Sequence, residues 1–374
     1  MNLSVYYHLK MRHFVFYAML FLCLSCKHEV TGSLEVIEID VNDDKSISPE
    51  AAFRSFSTVT LEVTPNSVLP DVSKVLVDNG RIYVLSMMDA RVFIFSREGK
   101  YINSLTQGQG PGEVLFVSDM DAEDGNLFVL DNYRTVRMYD ADGRYLKDVY
   151  SSNHPCFSMQ YREGNLLLFD PYIDRQSAYL LRVVRNDSVS YLLEKEKRLE
   201  KGRFAYYNVF GDGYLSWPLS NTIYHTDGTS VEAVCTVRFH GKNFYDAILD
   251  AKLTSEELCD LNQNEHYYRW LKDVYLQNDL MYFAFKYDKN YYVKHRGDNT
   301  VIHSTLVEGF PPMKRAAVGH TLTHIIYAYT AEELLSYREW TKEEGISSPH
   351  SELLDSIDED ANPTLVFFRI SDEF

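Results

Sequence analysis

The hydrophobic and polar positions of this chain repeat at an offset of 44 or 45 residues. The repeat is clearest between residues 78–105 and 123–149, where short apolar runs are separated by polar turns. The turn glycines that match are Gly80 with Gly125 and Gly99 with Gly143. Because Asp-Gly and Glu-Gly pairs supply the positive φ of a tight hairpin, each copy is predicted to be an antiparallel meander of three or four strands.

Weaker copies of the same pattern continue towards the end of the chain. Apolar runs flanked by turn residues lie at 164–184, 211–228, 278–293, 324–329 and 365–370. One meander cannot bury both of its faces, so neighbouring units must pack on one another. Rings of roughly four to eight such units are β-propellers. The sequence therefore predicts an all-β fold, a six-bladed β-propeller of antiparallel four-stranded blades.

Three further segments complete this predicted architecture. The run at 57–63 is expected to close the ring by pairing with the last blade. Capping-box spacing at Thr254 and Thr330 predicts two short helical inserts. The acidic stretch 347–363 is expected to be an exposed loop; calcium is the one cofactor left open there, although the D-x-D-x-D-G ligand order is absent.

The N-terminus has the pattern of an export signal. Arg12 precedes an apolar run, 14–24, that is too short to span about 30 Å of hydrocarbon but fits a signal peptide. The run ends in Ser25 and Cys26, which resembles the lipobox of bacterial lipoproteins, although Cys23 replaces the usual leucine. The resemblance implies acylation of Cys26; a simple secretory signal and a membrane anchor are the alternatives.

The expected organisation follows from these patterns. Residues 1–25 form the lipoprotein signal peptide, 26–50 a tether with a short strand at 34–39, and 51–374 the propeller. The net charge of −17 argues against nucleic acid as a partner, because phosphate contacts require lysine and arginine. The five cysteines lack metal or disulfide-framework spacing. Two of them, Cys23 and Cys26, lie in the N-terminal segment. The other three are expected to be buried thiols, with one Cys156–Cys235 or Cys235–Cys259 pairing left open.

A glycine-rich segment joins the first two units of the repeat. Its residues are Gly108, Gly110, Pro111, Gly112 and Glu113. The glycines permit backbone angles that other residues avoid, and the proline restricts one φ. The glutamate is expected to accept backbone N–H bonds and pin the crossing between blades. A phosphate-binding role is disfavoured because no Gly-Lys-Ser/Thr follows.

Together with the lipobox, the repeat and Asn362-Pro363 before the last strand, this segment resembles the six-bladed β-propeller lipoproteins common in Bacteroidetes, relatives of NHL-repeat propellers. Val114 and Leu115 are a departure, because the family usually has an aromatic residue directly after the glutamate. The resemblance implies a location in the cell envelope, lipid-anchored at the outer membrane on its periplasmic or surface side. It implies no defined chemistry.

No catalytic or metal-ligating constellation is recognisable. No G-x-S-x-G nucleophile elbow occurs. His320 and His324, on one predicted strand, would lie about 13 Å apart, too far to share a metal. Three aromatic clusters are expected to be blade core, with a sugar or peptide groove as the alternative: Tyr206-Tyr207, Tyr267-Tyr268-Trp270 and Tyr291-Tyr292.

The leading hypothesis is a non-enzymatic binding or scaffold module, tethered by Cys26, that binds a glycan, peptide or protein at one mouth of the propeller. No catalytic residue, metal ligand or cofactor is assigned, and the membrane is a partner only through the lipid. The alternative is a metal-dependent lactonase or lyase with its site in the central channel. That alternative requires at least three carboxylate or amide ligands converging from different blades.

Overall fold

The computed structural model describes most of the chain downstream of residue 33. The described residues are 34–42, 53–169, 178–186, 188–194, 213–216, 220–249, 257, 260–261, 263–264, 266–277, 280–286, 290–297, 299–304, 310–311 and 317–370. The predicted signal peptide, Cys26 and most of the helical insert predicted from Thr254 lie outside them.

The described part of the chain is built almost entirely of strands. In chain order they are β1 Glu35–Ile39, β2 Phe53–Thr60, β3 Lys74–Asp78, β4 Arg81–Ser86, β5 Arg91–Ser96, β6 Tyr101–Ser104, β7 Val117–Glu123, β8 Asn126–Asp131, β9 Thr135–Asp140, β10 Tyr145–Ser151, β11 Ser158–Arg162, β12 Asn165–Phe169, β13 Tyr179–Arg185, β14 Ser188–Glu194, β15 Tyr214–Ser216, β16 Thr222–Thr226, β17 Val231–Phe239, β18 Arg269–Gln277, β19 Leu280–Lys286, β20 Asn290–Arg296, β21 Asn299–Ser304, β22 Gly319–His320, β23 His324–Tyr329 and β24 Thr364–Ile370. The helices are α1 Phe244–Leu249, α2 Ala331–Glu343 and α3 Ser351–Asp355.

These strands form six four-stranded antiparallel sheets arranged in a ring, which confirms the predicted six-bladed β-propeller. The first three blades are consecutive meanders: β3–β6, β7–β10 and β11–β14. The later blades are β15–β17 with β1, β18–β21, and β22–β24 with β2. The first strand of each meander is the innermost, and inner strands of neighbouring blades approach one another around the channel.

Ring closure occurs as the sequence predicted, with a shifted start. Strand β2 pairs antiparallel with β24, and Thr58 lies opposite Val366. The strand begins at Phe53 rather than at residue 57. Strand β1, which lies within the predicted tether, joins the fourth blade beside β17. The propeller therefore includes residues upstream of 51.

Aromatic side chains fill the spaces between blades. Phe128 of the second blade stacks on Tyr161 of the third, with 3.8 Å between ring centroids. Tyr268 is 3% exposed and Tyr292 is fully buried, so these two residues belong to the blade core, as predicted. Burial of each such ring stabilises the fold by about 1.5–3 kcal/mol. Tyr206 and Tyr207 lie outside the described residues.

The helices pack on the last blade or beside the fourth. The predicted capping box at α2 is confirmed: Glu333 N donates to Thr330 Oγ1 (3.2 Å), and Thr330 N donates to Glu333 Oε2 (3.0 Å). The expectation of a wholly exposed loop at 347–363 is wrong, because that stretch contains α3 and buries Leu354 and Ile357. Within the described ranges, no helix has the length and apolar character needed to cross a membrane.

Candidate functional site in the central channel

A large cavity lies in the central channel, between the inner strands of four consecutive blades. Its volume is about 890 Å³. The walls come from β22, β3, β7 and β11 and from the segments that flank them. We call this space the channel cavity. The inner strands β3, β7, β11 and β22 all border this space, so polar side chains from different blades can face the same volume.

One ion pair joins the first two blades at the wall of the channel cavity. The ammonium of Lys74, on β3, lies 2.7 Å from Asp119 Oδ1 on β7 and also donates to the carbonyl oxygen of Met120 at 2.7 Å. Asp119 is 8% exposed. The opposite charges of Lys74 and Asp119 compensate one another within the wall, through a charge-assisted hydrogen bond.

Carboxylates of β7 also bind the neighbouring blade. Residues 119, 121 and 123 alternate along β7, so their side chains lie on one face, while alternate N–H groups of β11 point to its free edge. The three resulting bonds are Met159 N to Asp119 Oδ2 (2.8 Å), Tyr161 N to Asp121 Oδ2 (2.7 Å) and Glu163 N to Glu123 Oε1 (2.8 Å). We call this set the carboxylate ladder. It occupies N–H groups that an inner edge strand would otherwise leave unpaired.

Asp121 is the member of the ladder with unusual acidity. Burial within the ring raises its pKa to about 7, and the negative charge of Asp119 adds to the increase. Lys74 and the N–H groups of Tyr161 and Ala122 act in the opposite direction, but burial dominates. The carboxyl is partly exposed, but only towards the channel cavity, so it gains little of the solvation that bulk water would supply. Asp121 therefore exchanges its proton near neutral pH.

The remaining walls of the channel cavity are mainly apolar, with one unsatisfied polar atom. Gln160, on β11, is 9% exposed, and its Oε1 has no hydrogen-bond partner. The apolar lining side chains include Val75, Val77, Leu85, Met87, Phe157 and Met159. A buried acceptor without a donor costs about 1–3 kcal/mol, which a bound donor would offset.

The residues described here do not form a metal site. Among them, no group of three or more histidine, cysteine, aspartate or glutamate side chains is placed to hold a metal ion. Asp119 and Asp121 both accept backbone N–H bonds, and Lys74 occupies the position beside Asp119. A divalent cation would have to displace these contacts.

The glycine-rich segment lies on the link from β6 to β7, outside the channel cavity. The N–H of Gly110 donates to Glu113 Oε2 at 2.8 Å, and a Cβ on Gly108 would collide with that carboxylate. Gly112 has φ +75°, which favours glycine, and its carbonyl accepts a bond from the hydroxyl of Tyr139. Pro111 stands between them in the chain. These hydrogen bonds hold the turn that links the first blade to the second.

The lipidation candidate, two histidines and two of the cysteines were also singled out from the sequence. Cys26 lies outside the described residues. The assignment of His320 and His324 to one strand is wrong: His320 ends β22, His324 begins β23, and Thr321 N donates to the carbonyl of His324 across the turn. Only His320 lines the channel cavity. Cys156 and Cys235 are both buried, and no disulfide joins them.

The functional residues of the channel cavity were not recognised from the sequence. Lys74, Asp119, Asp121 and Gln160 lie just upstream of the apolar runs from which the repeat was recognised. The available signal was the alternation of acidic residues at 119–123, a pattern that suits hydrogen bonding to a neighbouring strand. Nothing local to those residues indicates which strand receives the bonds.

Comparison with known proteins gives a family and two similar folds. The family described as Domain of unknown function (DUF4934) matches residues 34–369. A crystal structure of a Bacteroides fragilis protein described as exported aligns with a TM-score of 0.70 and 18% sequence identity, covering 91% of this chain and 100% of that chain. A member of the DUF4221 family from Bacteroides vulgatus aligns with a TM-score of 0.49 and 10% identity, covering 85% of this chain and 97% of that one. No curated protein matches the chain.

Proposed function

We propose that this chain, which belongs to the family of domains of unknown function DUF4934, is an envelope-anchored β-propeller that binds a ligand in the channel cavity without transforming it. The observation that carries the proposal is the cavity itself, about 890 Å³ with apolar walls and a few polar groups. Concave sites of roughly 300–1,000 Å³ with that mixture are typical of small-molecule binding. A short segment of a glycan, peptide or protein partner would also fit.

The chemistry of the cavity favours binding over catalysis. The metal-dependent lactonase or lyase considered above needs three or more carboxylate or amide ligands from different blades. In the part of the chain that the structure describes, the two cavity carboxylates belong to one strand, β7, and already bind Lys74 or β11. These residues do not fit a catalytic divalent metal.

The proposal also includes export and lipid anchoring. Two observations support this part. One is the lipobox-like sequence that ends at Cys26, and the other is the structural similarity to a Bacteroides fragilis protein described as exported. Only eight residues, 27–34, separate Cys26 from β1, so the anchor would be short. We propose an extracytoplasmic location at the outer membrane, in an NHL-like propeller lipoprotein. Incorporation of labelled palmitate that persists in Cys26→Ala would contradict the anchor.

Binding in the channel cavity is tested by narrowing it without disturbing the blades. Leu322 lines the cavity and is 73% exposed, so Leu322→Trp should fold normally and reduce the free volume. Leu146→Trp is the matched control, because Leu146 is also exposed but lies on β10 at the edge of the second blade.

The assay is retention of glycans, peptides and envelope extracts on the purified protein. We expect retained ligands to bind the wild type and Leu146→Trp alike and to bind Leu322→Trp at least about fivefold more weakly, equivalent to about 1 kcal/mol. Equal retention by Leu322→Trp would place the site elsewhere. Chemical conversion of a retained ligand would contradict a purely binding role.

A further inference from the structure

The channel cavity contains two carboxylates and one ammonium, and one of the carboxylates makes no ion pair. The charge of Asp119 is balanced by Lys74 at 2.7 Å, whereas Asp121 accepts only the backbone N–H groups of Tyr161 and Ala122. Within the described ranges, no lysine, arginine or histidine lies within ion-pair distance of Asp121. From this imbalance we infer that the ligand of the channel cavity is a primary amine on an apolar body; the inference rests on the proposed binding function of that cavity.

The position of Gln160 supports an amine rather than another cation. Gln160 lines the cavity, and its Oε1 is a buried acceptor with no donor, so a rotation of this side chain would bring the oxygen to a ligand in the cavity. An alkylammonium group carries three N–H donors, enough for Asp121, Gln160 and one further oxygen. Calcium would require about six to eight oxygen ligands, and the described walls do not supply them.

The apolar walls define the rest of the ligand. Side chains of β3 and β11 and of their flanking segments, including Val77, Leu85 and Phe157, line the same volume. They would bury an alkyl or aromatic group, at about 25 cal/mol for each Å² removed from water. A carboxylate or phosphate ligand would meet the unbalanced charge of Asp121 instead. Two kinds of ligand combine an ammonium group with an apolar body in this way: an apolar peptide with a free amino terminus, and a free alkylamine.

Proton exchange provides a readout specific to this arrangement. The charges that act on Asp121 are those of Lys74 on β3 and Asp119 on β7. Glu123 lies on the same face of β7 and binds Glu163 N, and His320 on β22 lines the same cavity. An ammonium placed beside Asp121 favours its ionised form, so binding near pH 7 should release about half a proton. For an alkylamine, which stays protonated over this range, the affinity should increase between pH 6 and pH 8. A peptide α-amino group has a pKa of about 7.7–8.0, so its affinity should increase only up to about pH 7.5.

The test uses the purified mature protein and two matched pairs of probes. One pair is a tetrapeptide amide with apolar side chains, with a free or an acetylated amino terminus. The other pair is 4-phenylbutylamine and 4-phenylbutanol. We expect each amine to bind at least about tenfold more tightly than its neutral partner, which corresponds to about 1.4 kcal/mol. Titration calorimetry in two buffers measures the proton release.

Asp121→Asn should abolish the preference for the amine, whereas Asp124→Asn, an exposed turn residue after β7, should behave as the wild type. Binding of the peptide but not of the alkylamine, or the reverse, would support the inference and identify the source of the amine. Equal binding of neutral and amine probes would overturn it and leave cavity binding intact. Absence of binding by all four probes would also overturn it, and the Leu322→Trp comparison would then decide separately whether the cavity binds another class.

Discussion

Asp121→Asn should change the pH dependence of stability in a direction that the structure determines. The folded state raises the pKa of Asp121 from 3.8 to about 7, so it holds the proton more tightly than the unfolded chain. Stabilisation from this group is fully present below pH 4 and is lost as the pH rises through 7. Asparagine does not ionise, so the variant should not show that loss.

The magnitude follows from the displacement of the pKa and from one lost hydrogen bond. A shift of about three units corresponds to an upper limit of about 4 kcal/mol at 1.36 kcal/mol per unit. An amide has one acceptor oxygen, so Asn cannot accept from both Tyr161 N and Ala122 N, which costs about 1 kcal/mol at every pH. At pH 5 the wild type has already lost about 1.6 kcal/mol of this upper limit, because the unfolded carboxyl ionises above 3.8. We therefore expect the variant to be about 1 kcal/mol less stable at pH 3, similar in stability to the wild type at pH 5 and about 1–3 kcal/mol more stable at pH 8.5.

Urea unfolding followed by intrinsic fluorescence between pH 3 and pH 8.5 measures this reversal. The matched control is Asp124→Asn, because this exposed turn residue follows the ladder directly and asparagine tolerates its φ of +52°. A difference in unfolding free energy between Asp121→Asn and the wild type that stays constant across this pH range would refute the assigned burial of the carboxyl group.

Three further substitutions test the junction, the fourth blade and the helix cap. Gly108→Ala should lower the free energy of unfolding by about 1–2 kcal/mol in a denaturant titration, because the methyl group displaces the Glu113 carboxylate from the turn. In a Glu113→Ala background this cost should largely disappear. Strict additivity of the two substitutions would count against the contact. Ile37→Asp should lower the free energy of unfolding by at least about 3 kcal/mol, because Ile37 is 1% exposed in the fourth blade. Val36 is 41% exposed, so Val36→Asp should be nearly neutral. Similar thermal midpoints for the two variants would contradict the placement of β1. Thr330→Ala should lower the free energy of unfolding by about 1 kcal/mol, and Thr330→Ser should restore most of it. Unchanged stability of Thr330→Ala would mean that the capping box contributes nothing in solution.

Turns and caps of this protein were predictable because their causes are local. Gly80 and Gly125 both adopt positive φ in the hairpins that begin the matched copies, as the repeat indicated. The capping box at Thr330 likewise depends on two residues three positions apart. The regular recurrence of such signals was sufficient to predict six blades, because each blade repeats the same order of apolar runs and turn residues.

The inner strands were harder to predict, although they build the channel cavity. The clear apolar runs of the first two copies correspond to the middle strands, β4 and β8, whereas β7 reads VSDMDAE. Its alternate side chains are acidic because they bind the free edge of β11 rather than pack in a core. A strand with that task lacks the hydrophobic alternation on which strand prediction depends.

Periodic apolar runs and glycine turns specify strands and hairpins locally, so the all-β class, the number of blades and the closing strand could be predicted from the amino-acid sequence. The position of β1 in the fourth blade and the meeting of Lys74, Asp121 and Gln160 at one cavity depend on the assembled fold. These residues are separated by tens of positions along the chain, and their meeting depends on how successive blades rotate around the channel. The raised pKa of Asp121 has the same origin, because it results from burial that the assembled ring alone creates.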